Sequence, residues 1–176
     1  RLGRMGAAVA WMDVDGDGWE DLVTGAARAG RTGVFHNHEG RGFSVTLPGA
    51  MVGTQRGLVS WVDGAGARKW VAAQSNYGAD PGIPSRLAIF AGNGGTVPNL
   101  FDTGPEAIGA LAAGDVDGDG RLDVVVGGQS RAGRYPEAAD SSVWLGDGLG
   151  LKKSDAWSEP LRELGFVNGA TLVDFD

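Results

Sequence analysis

The stretch from Asp115 to Gly128, D-V-D-G-D-G-R-L-D-V-V-V-G-G, restricts the fold more than any other part of the chain. Asp115, Asp117, Asp119 and Asp123 fall at its positions 1, 3, 5 and 9. The glycines between them stand where the backbone must turn tightly to aim several oxygens at one point. A near copy upstream, D-V-D-G-D-G-W-E-D-L-V-T-G, places Asp13, Asp15, Asp17 and Asp21 at the same offsets. Carboxylates about 4 Å apart repel by roughly 4 kcal/mol per pair at an effective dielectric of about 20, so a loop of this composition needs a hard cation to stay closed.

The residues after each loop decide what kind of cage it is. An EF-hand needs a Glu at the twelfth loop position and then a helix. Here that position holds Thr24 or Val126, and L-V-T-G and D-V-V-V-G-G are β-strand sequence. The spacing therefore predicts calcium loops that run into strands. The side chains of Asp13, Asp15, Asp17 and Asp21 and the carbonyl of Trp19 form one ligand set; Asp115, Asp117, Asp119, Asp123 and the carbonyl of Arg121 form the other. A third loop begins at Asp174 and Asp176 and is cut off after its first two ligands. The expected cofactor is calcium, in two complete sites and one truncated site.

Each loop belongs to a larger repeat. An apolar strand from Gly6 enters the first loop, Leu22 to Ala26 leaves it, and Gly33–His36 and Phe43–Thr46 flank a turn as a hairpin. The pattern restarts at Arg56, with Asp63, Gly64 and Gly66 on the positions of Asp15, Gly16 and Gly18. In that unit Trp61, Ala65 and Lys69 replace Asp13, Asp17 and Asp21, which leaves too few carboxylates for calcium, and Lys69 is expected to serve as counter-ion to Asp63. Repeats over about 5–47, 56–98, 107–151 and 166–176 have the period of roughly 50 residues and the four short strands of a β-propeller blade. The fold predicted is all-β: three four-stranded antiparallel blades plus the first strand of a fourth, in one propeller segment spanning 1–176. Closed propellers need about four to eight blades, so the remaining blades are expected from a longer chain or from another chain.

Composition agrees. The 32 glycines among 176 residues point to many tight turns, and a net charge of −7 argues against a nucleic-acid partner. The chain has no cysteine, and no apolar run approaches the length of a membrane span.

The two intact loops, with the hairpins H-N-H-E-G-R-G-F, F-A-G-N-G-G-T-V and W-L-G-D-G-L-G-L, resemble the FG-GAP/VCBS repeats of integrin α-type propellers. More narrowly, G-G-Q-S-R-A-G-R-Y-P, at Gly127–Pro136, is similar to a loop of bacterial ASPIC/UnbV-type proteins, relatives of cartilage acidic protein. The resemblance implies a calcium-stabilised, extracytoplasmic, non-catalytic scaffold for recognition or adhesion, with protein or glycan as ligand. It leaves two alternatives open: the propeller of a carbohydrate-active enzyme such as a polysaccharide lyase, and a spacer without a ligand of its own.

In a four-stranded antiparallel blade the first and third turns lie at one end, and the second turn and the crossover at the other. The calcium loops therefore share an end with the hairpins, while the irregular stretches Ser75–Ser85, Gln129–Asp140, Pro48–Gln55, Pro98–Ala107 and Lys152–Gly165 occupy the opposite end. Tyr77, Asp80, Arg131, Arg134 and Tyr135 mix aromatic and charged groups there and are the candidate partner-binding residues. Trp70, on the position of Leu22, is expected in the core between blades, as are Trp11, Trp61 and Trp144 in their strands; Trp19 and Trp157 are candidates for exposed platforms. His36 and His38 fit a strand tip and its turn, and with no other histidine in the chain they are read as structural. No phosphate-binding, zinc-protease or nucleophile-elbow motif is found.

Overall fold

The computed structural model describes residues 7–27, 30–48, 53–63, 66–77, 82–92, 99–148 and 150–173. Among them, three four-stranded antiparallel sheets follow one another along the chain. The first holds β1 (Val9–Met12), β2 (Asp21–Thr24), β3 (Gly33–Asn37) and β4 (Phe43–Thr46). The second holds β5 (Thr54–Val62), β6 (Arg68–Ser75), β7 (Ser85–Ala91) and β8 (Asn99–Gly104), and the third β9 (Glu106–Gly114), β10 (Asp123–Arg131), β11 (Ser142–Gly146) and β12 (Leu151–Ser154). In each sheet the strands lie in sequence order, the arrangement of a propeller-type blade. The first strands of the blades neighbour one another, with β5 between β1 and β9.

The short period of the strands puts alternate side chains on opposite blade faces, and each face meets a neighbour. Met12, Val14, Val23 and Val34 of blade one close on Trp70, Ala72, Ala88 and Phe90 of blade two. The odd-numbered residues on the other face of blade two, Val71, Ala73 and Leu87, close on Leu111, Val124, Val126 and Trp144 of blade three. Trp70 is cross-strand partner to Phe90, and their rings stack at 3.8 Å with 7° between planes. Both are fully buried, and the Trp70 Nε1–H donates to the Gly92 carbonyl at 3.2 Å, so the indole's one polar group is satisfied. Close approach of blades two and three needs Gly57, where a Cβ would lie 2.5 Å from that of Leu111.

Three expectations are corrected. The stretch Pro98–Ala107 is not a plain crossover, because it contains β8: Leu100 and Phe101 pair with Ala88 and Leu87, and Phe101 packs on the second core. In Lys152–Gly165, β12 leads into a one-turn helix, α1 (Asp155–Ser158), whose cap Ser154 Oγ accepts the Trp157 N–H at 3.4 Å. Finally, no strand forms over 166–173. That segment lies against blade three through Val167 N–H to Gly128 O at 3.0 Å, the same contact that Gln55 N–H makes to Ala26 O at 2.9 Å between blades one and two. What it lacks among the described residues is a ladder partner of its own. Asp174 and Asp176, with Gly64, Ala65 and Asp80, lie outside the described residues.

Trp11 is also displaced from its expected place. It is 55% exposed, beside Phe43 at 6.4 Å, on the face of blade one that turns away from blade two. Trp70→Ala is accordingly expected to cost about 3–5 kcal/mol in urea unfolding, whereas Trp11→Ser costs under about 1 kcal/mol.

Candidate metal centres and binding pocket

Both intact loops are wound by glycines at positive φ, Gly16 and Gly18 at 87° and 89°, Gly118 and Gly120 at 79° each. In this conformation successive N–H groups turn inward onto the aspartates. Asp13 accepts from Gly16 and Gly18 at 2.7 and 3.0 Å, and Asp115 from Gly118, Asp119 and Gly120 at 2.8, 3.1 and 2.9 Å. The ninth-position aspartate is the keystone. Asp21, fully buried, accepts from Val14 N at 3.0 Å with one oxygen and from Asn37 N at 2.8 Å with the other. Asp123 does the same with Val116 and Gly146, at 2.8 and 2.9 Å. One carboxylate thus ties loop, strand and hairpin together in each blade.

The structure brings the predicted ligands together in different subsets. Asp115, Asp117 and Asp123 each direct one oxygen into a group whose atoms lie within 4.8 Å of one another. Asp119 instead accepts from Arg121 N at 2.8 Å and pairs with the Arg121 guanidinium at 3.4 Å. In blade one, Asp13, Asp15 and Asp17 form one such group, and Asp15, Asp21 and His36 form another. Trp19 donates its N–H to Asp17 at 2.8 Å, and its ring is 45% exposed. His36 is the residue that sequence reasoning passed over. Its Nδ1 lies 3.4 Å from Asp15 Oδ2, while His38 is exposed beyond the end of β3. These oxygen-rich, partly dehydrated groups have the donor chemistry of a hard divalent ion.

Blade two has a side-chain ammonium in place of the keystone carboxylate. Lys69, where the other blades have the keystone aspartate, reaches Asp63 at 2.9 Å, as the sequence leads one to expect. Its neighbour Arg68 crosses to blade one and binds Asp13 through the carboxylate at 3.1 Å and the carbonyl at 3.3 Å.

At the opposite ends of the strands, residues that follow β6 in blade two and residues at the end of β10 and just after it in blade three border an open cavity of about 280 Å³. Asn76, Tyr77, Ser130, Arg131 and Tyr135 line it. Of the predicted partner-binding residues, Tyr77, Arg131 and Tyr135 therefore meet. Arg134 stands outside the lining, held by Glu137 at 2.7 Å. Asn76, 5% exposed, donates its amide to Ile83 O and Pro105 O at 3.0 and 2.8 Å, but its buried Oδ1 has no partner among the described residues. Arg131 gives its terminal nitrogens to Glu137 and Asp140 at 3.0 and 3.9 Å, and its buried Nε is likewise unpartnered. Near Tyr77, burial lowers the Arg56 guanidinium from its ordinary value, with Tyr77 acting in the opposite direction. It remains a cation at any working pH.

A family model described as the FG-GAP repeat matches residues 5–42 and 107–144. The chain carries two FG-GAP repeats. They coincide with the blades that hold the intact acidic loops, and the two FG-GAP matches leave out the blade in which Lys69 replaces the keystone carboxylate. No curated protein matches the chain.

Two substitutions separate closure from cation binding. Asp21→Asn sets an amide donor against one of two backbone N–H groups, and is expected to cost about 1–3 kcal/mol even in excess chelator. Lys69→Met is expected to cost at most about 1 kcal/mol, because that pair is partly exposed, and the loss should shrink when stability is measured in about 1 M salt.

Proposed function

We propose that this chain is a cation-stabilised recognition scaffold, with calcium as the ion of the all-oxygen site in blade three and the binding surface at the opposite end of the blades. The reading rests on the meeting of Tyr77, Arg131 and Tyr135, from two blades, around one cavity.

The cavity's chemistry favours a neutral, hydroxyl-bearing ligand. Glu137 and Asp140 already balance the charges of Arg131 and Arg134, which weakens the pull of these two arginines on an anion. Tyr77 and Tyr135 offer rings to an apolar sugar face, and Ser130 and Arg131 stand beside them as polar groups for its hydroxyls. A glycan fits this description, either free or on a glycoprotein surface. Calcium at about 1 mM, on a site of about 0.1 mM affinity, would add roughly 1.4 kcal/mol to folding. That dependence suits a calcium-rich compartment outside the cytosol.

Two measurements test the reading. Calcium should raise the melting temperature of the chelator-treated protein, and Asp117→Ala should diminish that rise. In a screen of neutral oligosaccharides followed by calorimetry, Tyr135→Ala should lose at least tenfold in affinity with an unchanged melting temperature. Equal binding by wild type and Tyr135→Ala, or no binding across the screen, overturns the assignment of the cavity to glycans.

A further inference from the structure

The two intact loops are close copies in sequence, yet they converge on different donor sets. In blade three three carboxylates meet: Asp115, Asp117 and Asp123. In blade one the counterpart of Asp115 is Asp13, and Arg68 from blade two occupies both its carboxylate and its carbonyl. Beside the all-oxygen group of Asp13, Asp15 and Asp17, Asp15 also converges there with Asp21 and His36. The equivalent of His36 in blade three is Leu145, because the residues that follow, Asn37 and Gly146, make the same N–H bond to Asp21 and Asp123. One loop of the pair therefore has a nitrogen donor that the other lacks.

The imidazole is held to aim that nitrogen. Nε2 lies 3.2 Å from Thr46 Oγ1 on the neighbouring strand β4, and the side chain is only 12% exposed. Nδ1 is buried and makes no hydrogen bond among the described residues. With the proton assigned to Nε2 and donated to Thr46, Nδ1 presents a lone pair to Asp15 Oδ2. A lone pair facing a carboxylate oxygen is repulsive, and either a proton or a metal ion between them relieves it. The observed 3.4 Å is long for a charge-assisted N–H···O bond, which closes to about 2.7–2.9 Å. It is close to the separation of about 3.4 Å between two ligands of a tetrahedral ion with bonds of about 2.0–2.1 Å. The buried carboxylate of Asp21 supplies the third donor, and its spare lone pairs remain available beside its two N–H partners.

We propose that Asp15, Asp21 and His36 form a mixed nitrogen and oxygen site for a first-row transition ion, so that the two acidic loops bind different metals. Imidazole suits such ions, whereas an all-oxygen set suits calcium. Thr46 is the positioning residue that orients the ring. The inference rests on the reading of the acidic loops as cation sites and changes the ion that one of them selects.

The test uses the whole chain, stripped with chelator, carrying Asp117→Ala to disable the loop of blade three, and titrated calorimetrically with Zn²⁺ or Ca²⁺. Zn²⁺ should bind at one site at least tenfold more tightly than Ca²⁺. Adding His36→Leu, which installs the residue blade three has in that place, should lower Zn²⁺ affinity about ten- to hundredfold, and Thr46→Val should lower it about tenfold. The His36 Nδ1 resonance of the otherwise unaltered protein should shift on Zn²⁺ addition. A natively melting His36→Leu protein with unchanged Zn²⁺ affinity overturns the proposal, because the ion then sits among Asp13, Asp15 and Asp17. If the leucine variant does not fold, the Nδ1 resonance decides, and a signal that stays in place is equally fatal. Calcium titration of the chain without Asp117→Ala judges the site in blade three separately, so the two readings can fail independently.

Discussion

The structure depends on a charged side chain at or next to the start of the second strand of every blade. In blades one and three it is a fully buried carboxylate, Asp21 or Asp123, which accepts one N–H from its loop and one from the hairpin. Hydrogen bonds to a charged group contribute roughly 1.5–3 kcal/mol each, enough to offset much of the cost of dehydrating the carboxylate. They also join three segments distant in the chain. In blade two Lys69 takes that place and binds Asp63 directly, so an ammonium does inside the loop what a metal ion would do. One closure problem has two electrostatic solutions, and the choice follows the sign of a single residue.

Blade two also sends Arg68 across to Asp13, and the loop of blade one is thereby coupled to the blade that carries Trp70 and Phe90. The loop of blade three keeps its positive charge local, through Arg121 on Asp119. Two loops that are nearly identical in sequence thus sit in different fields. Arg68 engages one oxygen ligand in blade one, and His36 brings in a nitrogen there.

The blades also keep the two ends of the molecule apart. The acidic clusters lie where the first and third turns meet, and the strands carry Tyr77, Arg131 and Tyr135 to the other end. Cavity residues are fixed through the blade junction: Ser75 Oγ accepts from Ile108 N at 3.1 Å and from Tyr77 N at 3.3 Å. A pocket built at such a junction is shaped by the rigid sheets on either side of it, which is how loops acquire defined binding geometry.

The sequence alone determined the strands around the acidic loops, the repeat and the Lys69–Asp63 pair. Each of these follows from local spacing or from the parity of strands in a blade. It missed β8, whose sequence N-L-F-D-T-G has no clear alternation of apolar and polar residues, and it placed Trp11 in a core that no described residue covers. Only the tertiary structure decided that Arg68 would engage Asp13, that Asn76 would bury an unpartnered oxygen, and that His36 would face Asp15 while His38 stayed exposed. Those contacts join different blades, or strand to loop across a sheet. Their existence depends on ångström-scale packing and register between segments, which a linear spacing of residues does not encode.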